Sequence, residues 1–135
     1  MTYCVAAMID AGIVFASDSR TNAGVDNVSI YKKMTVYERA GERVIVILTS
    51  GNLAITQATL AHLKENIKRG IEPNLMTATS MYEVTELVGS ALRDVRNHDG
   101  QHLMQSNVDS GANFIIGGQI AGEEMRLFLV YSEGN

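Results

Sequence analysis

The spacing of apolar residues changes period twice along this chain, and that change restricts the fold more than anything else in the sequence. Residues 3–8 are apolar on both faces, and residues 13–16 repeat that character after the turn signal Asp10-Ala11-Gly12, the pattern of a hairpin. Residues 34–38 and 44–49 predict a second hairpin around Arg39-Ala40-Gly41-Glu42. The period then lengthens. Leu53, Thr56, Leu60, Leu63 and Ile67 recur every three or four residues and Gly70 stands where a helix cap belongs, so this segment is an amphipathic helix. A second helix is expected over residues 80–97, with Val84, Leu87, Val88, Ala91, Leu92 and Val95 on one stripe and Ser80 and Glu83 at capping-box spacing. Residues 113–117 and 125–131 return to strand character around Ile120-Ala121-Gly122-Glu123. Two consecutive helices between groups of strands define an α+β fold, read here as one domain over residues 1–135.

The two-sided apolarity of the first hairpin predicts a sheet covered on both faces, and residues 19–29 are expected to form a polar loop. An apolar content of 46% with 19% charged residues excludes a disordered chain. Eleven basic against fifteen acidic residues give a net charge of −4, which supplies no footprint for nucleic acid or an anionic membrane. No apolar run reaches the length of a membrane-spanning helix, and the first residues lack the basic segment of a secretory signal, so a cytoplasmic setting is expected. The single cysteine, Cys4, has no internal disulfide partner and is expected to be a small buried hydrophobe. The strand over residues 125–131 is followed only by turn-like sequence, so the second face of the sheet is expected to need more chain to cover it.

The chemistry centres on Thr2, which stands behind an initiator methionine and whose small side chain permits that methionine's removal. Removal of Met1 would leave Thr2 with a free α-amine beside its own hydroxyl, and that amine can act as the base that makes the hydroxyl nucleophilic. An α-amine titrates near 8, so about a tenth is free base at neutral pH, and a neighbouring cation raises that share. The first hairpin would bring Thr2 roughly across from Asp18. A carboxylate alone would raise the amine's pKa, but Asp18 paired with Lys33 would orient an ammonium toward the threonine. Gly51, between Thr49-Ser50 and the helix that opens at Asn52, is a candidate oxyanion donor, because backbone N–H groups are unpaired at a helix start.

The segment from Thr2 to Lys33 resembles a proteasome β-type subunit. It has a starting threonine, then Phe15-Ala16-Ser17-Asp18-Ser19-Arg20-Thr21, Gly24, and the step Lys32-Lys33-Met34. Thr49-Ser50-Gly51 followed by a helix is similar to that family's oxyanion-hole segment. Met1-Thr2-Tyr3-Cys4-Val5-Ala6, with Ala16 through Asp26, resembles more closely the bacterial proteasome-related family called Anbu. The resemblance implies Thr2 as nucleophile and base, Asp18 and Lys33 as the supporting ion pair, Gly51 as oxyanion donor, and Thr21, Thr49 and Leu53 as walls of a side-chain pocket. It implies a four-layer αββα sandwich of the N-terminal-nucleophile hydrolase type, a peptide or protein substrate, and a homo-oligomer, either a ring or an open helical assembly. The loop from Gly24 to Lys33 is one residue shorter than in typical β subunits, which leaves Lys32 as the alternative to Lys33. A serine and an aspartate that complete the family's site belong to a second half of the domain beyond residue 135.

No cofactor is expected. His98 and His102 have i, i+4 spacing, but Gly100 is expected to interrupt a helix there, so a metal site is disfavoured. Residues 117–122 carry glycines at the wrong spacing for a dinucleotide fingerprint, and no phosphate-binding loop is present. The leading reading is a threonine-type endopeptidase. A non-catalytic assembly subunit of the same fold and an amidohydrolase acting on a small amide are the alternatives.

Overall fold

The computed structural model describes residues 2–22, 28–105 and 109–132. Strands β1 (Cys4–Ile9) and β2 (Gly12–Ser17) form an antiparallel hairpin, and β3 (Arg20–Asn22) pairs with β4 (Val28–Ile30). The larger sheet is antiparallel in the order β5 (Met34–Arg39), β6 (Arg43–Gly51), β7 (Ala112–Ile120), β8 (Arg126–Tyr131). Helices α1 (Leu53–Lys68) and α2 (Met81–Gln105) connect β6 to β7. The predicted α+β order of strands, two helices and strands is observed.

Residues of β6 and β7 alternate between the two faces of the sheet, as a pleated strand dictates. Ile45, Ile47, Phe114 and Ile116 join Ile55, Leu63, Val84, Val88 and Leu92 of the helices in one buried cluster. The intervening Val46 and Leu48 are also buried but lie outside that cluster, on the face that meets the first hairpin. There Phe15 of β2 sits over Gly117, where an added Cβ would lie 2.7 Å from the ring and 2.9 Å from Leu127. Glycine at 117 is the space into which the hairpin docks.

Both helices are delimited by local chemistry. The Asn52 side chain accepts the Ile55 N–H at 3.1 Å to start α1. Gly70, at φ +66°, ends it by donating to the Ile67 carbonyl, while Ile71 donates to Asn66, a Schellman closure. Ser80 caps α2 through the Glu83 N–H at 3.1 Å, but Glu83 reaches back to Thr79 rather than to Ser80 itself. The link between the helices is pinned from the sheet: Arg43, 6% exposed, donates to the carbonyls of Leu75 and Ala78 at 3.0 and 2.9 Å and pairs with Glu42.

Three expectations are corrected. Within residues 19–29 the chain makes a short strand pair rather than only a loop, with Arg20 opposite Ile30; three-residue strands are too short to leave an alternation that can be read. Helix α2 runs through Gly100 to Gln105, because one glycine costs a helix only about 1 kcal/mol relative to alanine. The first hairpin is covered on one face only among the described residues, and Val5 and Val14 on its outer face are 61% and 60% exposed.

Candidate active site

The hairpin is closed by the two residues Asp10 and Ala11, which sets its register: Cys4 faces Ser17, and Tyr3 and Asp18 come next. Tyr3 therefore lies directly across from Asp18, and Thr2 is one residue further out. Asp18 accepts the Tyr3 N–H at 2.9 Å.

Lys33 and Asp18 form the expected ion pair. The ammonium donates to both carboxylate oxygens, at 2.8 and 2.9 Å, and to the Arg20 carbonyl at 2.6 Å. Lys33 is 4% exposed and Asp18 28%. Lys32 is exposed at the surface, so the sequence ambiguity between the two lysines is resolved toward Lys33 as Asp18's partner. Two of those three acceptors are the oxygens of one carboxylate, so Lys33 stands in its surroundings as a nearly buried, paired ammonium. The Lys33 hydrogen bond, then the Tyr3 amide, holds the Asp18 carboxyl below the usual carboxylate range.

Lys33 is anchored from its own backbone as well. Its carbonyl accepts the Thr49 N–H at 2.9 Å and the Thr49 hydroxyl at 3.4 Å. Cys4 is half-buried and donates its thiol to the Thr49 carbonyl at 3.4 Å, and burial pushes that thiol up in pKa. Its behaviour is that of a protonated, packed thiol.

Gly51 has φ +98°, and a Cβ there would collide with the Gly111 carbonyl. Only glycine fits this backbone. The next N–H, that of Asn52, is not unpaired as expected at a helix start: it donates to the Gly111 carbonyl at 2.8 Å.

Thr2, Lys33, Thr49, Gly51 and Leu53 line one small cleft together with Tyr31, Ser50 and Thr56. The structure thus gathers most of the residues singled out in the sequence. Thr21 is in β3 opposite Ser29, and its side chain lies outside what is described, as do Met1 and Gly24. Tyr31, Ser50 and Thr56 were not anticipated. Tyr31 stands two residues before Lys33 in an extended segment, a spacing that shares a side, and Thr56 stands one helical turn after Leu53. Burial pushes the Tyr31 phenol up in pKa against the opposing hydrogen bond with Gln57.

His98 lies beside His62, Asp94 and Asn97 in an open cavity, while the side chain of His102 lies outside what is described. No group of three or more His, Cys, Asp or Glu arranged to hold a metal occurs among the described residues. No described helix is long and apolar enough to cross a membrane.

No protein-family model and no curated protein matches the chain. Solved structures do. An Anbu (Gly-1) mutant from Hyphomicrobium sp. strain MC1 is 46% identical with a TM-score of 0.87, the match covering 100% of this chain and 54% of that one. Anbu (ancestral beta-subunit) from Yersinia bercovieri is 42% identical with a TM-score of 0.88, over 98% of this chain and 54% of that one. The structure described as the helical assembly of the Anbu complex from Pseudomonas aeruginosa is 39% identical with a TM-score of 0.90 at the same coverages. The chain spans about half the length of these proteins, and with such identity along all or nearly all of its residues it belongs to the Anbu family.

Proposed function

We propose that this protein is a proteasome-type threonine hydrolase of amide bonds, working in a homo-oligomer on peptide or protein substrates. The observation that carries the reading is the cleft in which Thr2 shares its walls with Gly51 and with Lys33, a buried ammonium held by both oxygens of Asp18.

Once Met1 is removed, the Thr2 α-amine takes the proton of its own hydroxyl as Oγ attacks the substrate carbonyl. The Gly51 N–H stabilises the resulting oxyanion. As the C–N bond breaks, the ammonium returns its proton to the departing amine, leaving an ester on Thr2. Water then attacks that ester, with the α-amine again serving as base, and releases the acid. Lys33 favours the unprotonated amine through its fixed charge. Thr21, Thr49 and Leu53 form walls of the side-chain pocket. No cofactor enters this cycle.

The single domain, read as a four-layer αββα sandwich, requires cover for the outer face of the first hairpin around Val5, Ile9 and Val14. Oligomer formation is supported by the helical assembly of the Pseudomonas aeruginosa relative.

Intact mass and amino-terminal sequencing of the native protein test the mechanism. A protein beginning at Thr2 that forms an adduct with a threonine-directed peptide electrophile is the expected result. Undiminished hydrolysis by protein that retains Met1 would rule out the self-base mechanism, and processed protein that forms no adduct and hydrolyses nothing would favour the non-catalytic assembly reading.

A further inference from the structure

The cleft beside Thr2 is small, and its cation is already paired. Its volume is ≈30 Å³, room for about one water molecule or a methyl-sized group. Two of its walls, Thr49 and Thr56, are almost wholly buried. Each turns its hydroxyl to a backbone carbonyl, Thr49 to Lys33 at 3.4 Å and Thr56 to Leu53 at 3.1 Å. Tyr31 forms another wall.

Charge is handled as strictly as size. An acidic substrate side chain entering here would be desolvated beside an ammonium whose charge the Asp18 carboxylate already balances. A basic one would meet the charge of Lys33 itself.

We propose that this cleft is a specificity pocket for a small uncharged side chain, of alanine or serine size, and that Tyr31 sets the limit. The proposal rests on the hydrolase reading and names the substrate class of that site. One methylene too many in a fitted pocket discriminates by about 10–200-fold, so a leucyl residue should be disfavoured by at least about tenfold relative to alanyl.

The test uses the native oligomer, isolated with Met1 removed, and tripeptide epoxyketones that differ only in the residue next to the electrophile: alanine, leucine, phenylalanine, aspartate or lysine. Adduct formation on Thr2 is followed by intact mass. The alanine probe should react at least about tenfold faster than each of the others. Tyr31→Ala should raise the leucine rate relative to the alanine rate by at least about tenfold, whereas Tyr31→Phe, which keeps the ring, should keep the alanine preference. If Tyr31→Ala does not melt cooperatively, Tyr31→Val takes its place. Equal alanine and leucine rates in the parent, a faster charged probe, or an unchanged ratio in the shortened variant would overturn the proposal and leave the hydrolase reading standing. Absence of an adduct with every probe would overturn both.

Discussion

Tyr3 and Asp18 hold each other twice: the Tyr3 N–H donates to the Asp18 carboxylate at 2.9 Å, and the Asp18 N–H donates to the Tyr3 carbonyl at 3.0 Å. The residue that follows Thr2 is thereby fixed by the same carboxylate that pairs with Lys33. Position and charge are supplied by one side chain, and they can be separated by substitution. Asp18→Asn keeps an oxygen for the Tyr3 amide and removes the anion facing Lys33, while Asp18→Ala removes both. Adduct formation at Thr2 should fall in Asp18→Asn and fall further in Asp18→Ala. Equal rates in the two variants would mean that the Tyr3 contact contributes nothing to positioning.

Lys33→Ala removes the fixed charge from the cleft and leaves Asp18, which is partly exposed, able to turn to water. The fold should persist, and the rate of acylation should drop by about a hundredfold or more, the scale of a lost contribution to proton transfer. Initial rates alongside thermal melting separate the two effects. A variant that melts early and reacts normally would assign Lys33 to stability alone.

Acid should weaken the protein in a window set by Asp18 and Glu42. Lys33 and the Tyr3 amide depress the first carboxyl, and Arg39 followed by Arg43 depresses the second. The folded protein keeps both ionised to lower pH than the unfolded chain, whose carboxyls titrate near 3.9 for Asp and 4.3 for Glu. Their contribution is complete above those values and is lost as pH falls through the lower folded ones, where the unfolded state binds more protons. Melting temperature followed from about pH 6 to about pH 2 should decline more gently at the acid end in Asp18→Asn and in Glu42→Gln than in the parent. Parallel curves for all three would remove both carboxylates from the account.

Gly51→Ala places a Cβ against the Gly111 carbonyl on a backbone at φ +98°. The cost should exceed about 1 kcal/mol, seen as a lowered denaturant midpoint with an unchanged slope. Because Gly51 is also the proposed oxyanion donor, acylation should fall by more than the loss of folded protein explains. A variant as stable as the parent would show that the junction can shift.

Gly117→Val tests whether the first hairpin depends on its seat. The added methyls would meet Phe15 and Leu127, and overpacking of this kind costs about 1–3 kcal/mol. Since that hairpin carries Asp18 and continues directly from Thr2, labelling at Thr2 should fall together with the melting temperature. Wild-type labelling in a destabilised Gly117→Val would uncouple the hairpin's seat from the site.

Both larger hairpins, both helices and the two C-terminal strands were legible because each carries enough residues for its apolar period to repeat. β3 and β4 were not, since Arg20–Asn22 and Val28–Ile30 offer three residues each around a stretch rich in Gly, Asn and Asp. Gly100 misled in the opposite direction, because its local penalty is smaller than what the rest of α2 gains by continuing. The Asp18–Lys33 pair was foreseen from hairpin geometry together with the family resemblance, and the two-residue turn puts Tyr3 rather than Thr2 directly opposite Asp18. Tyr31 escaped notice since it lines the cleft only where its segment meets Leu53 and Thr56 of α1, more than twenty positions later, and nothing in the local sequence announces that meeting.

Arg43 occupies the first position of β6, and the cleft residues Thr49, Ser50 and Gly51 occupy the last three. Its nearly buried guanidinium moors the Leu75 and Ala78 carbonyls, in the segment between α1 and α2, to that strand. Tilting α2 against the sheet there would first have to unseat a desolvated cation from two carbonyls and a carboxylate. The α1–α2 link and the strand that ends at the cleft are thereby tied together by a contact at the opposite end of that strand.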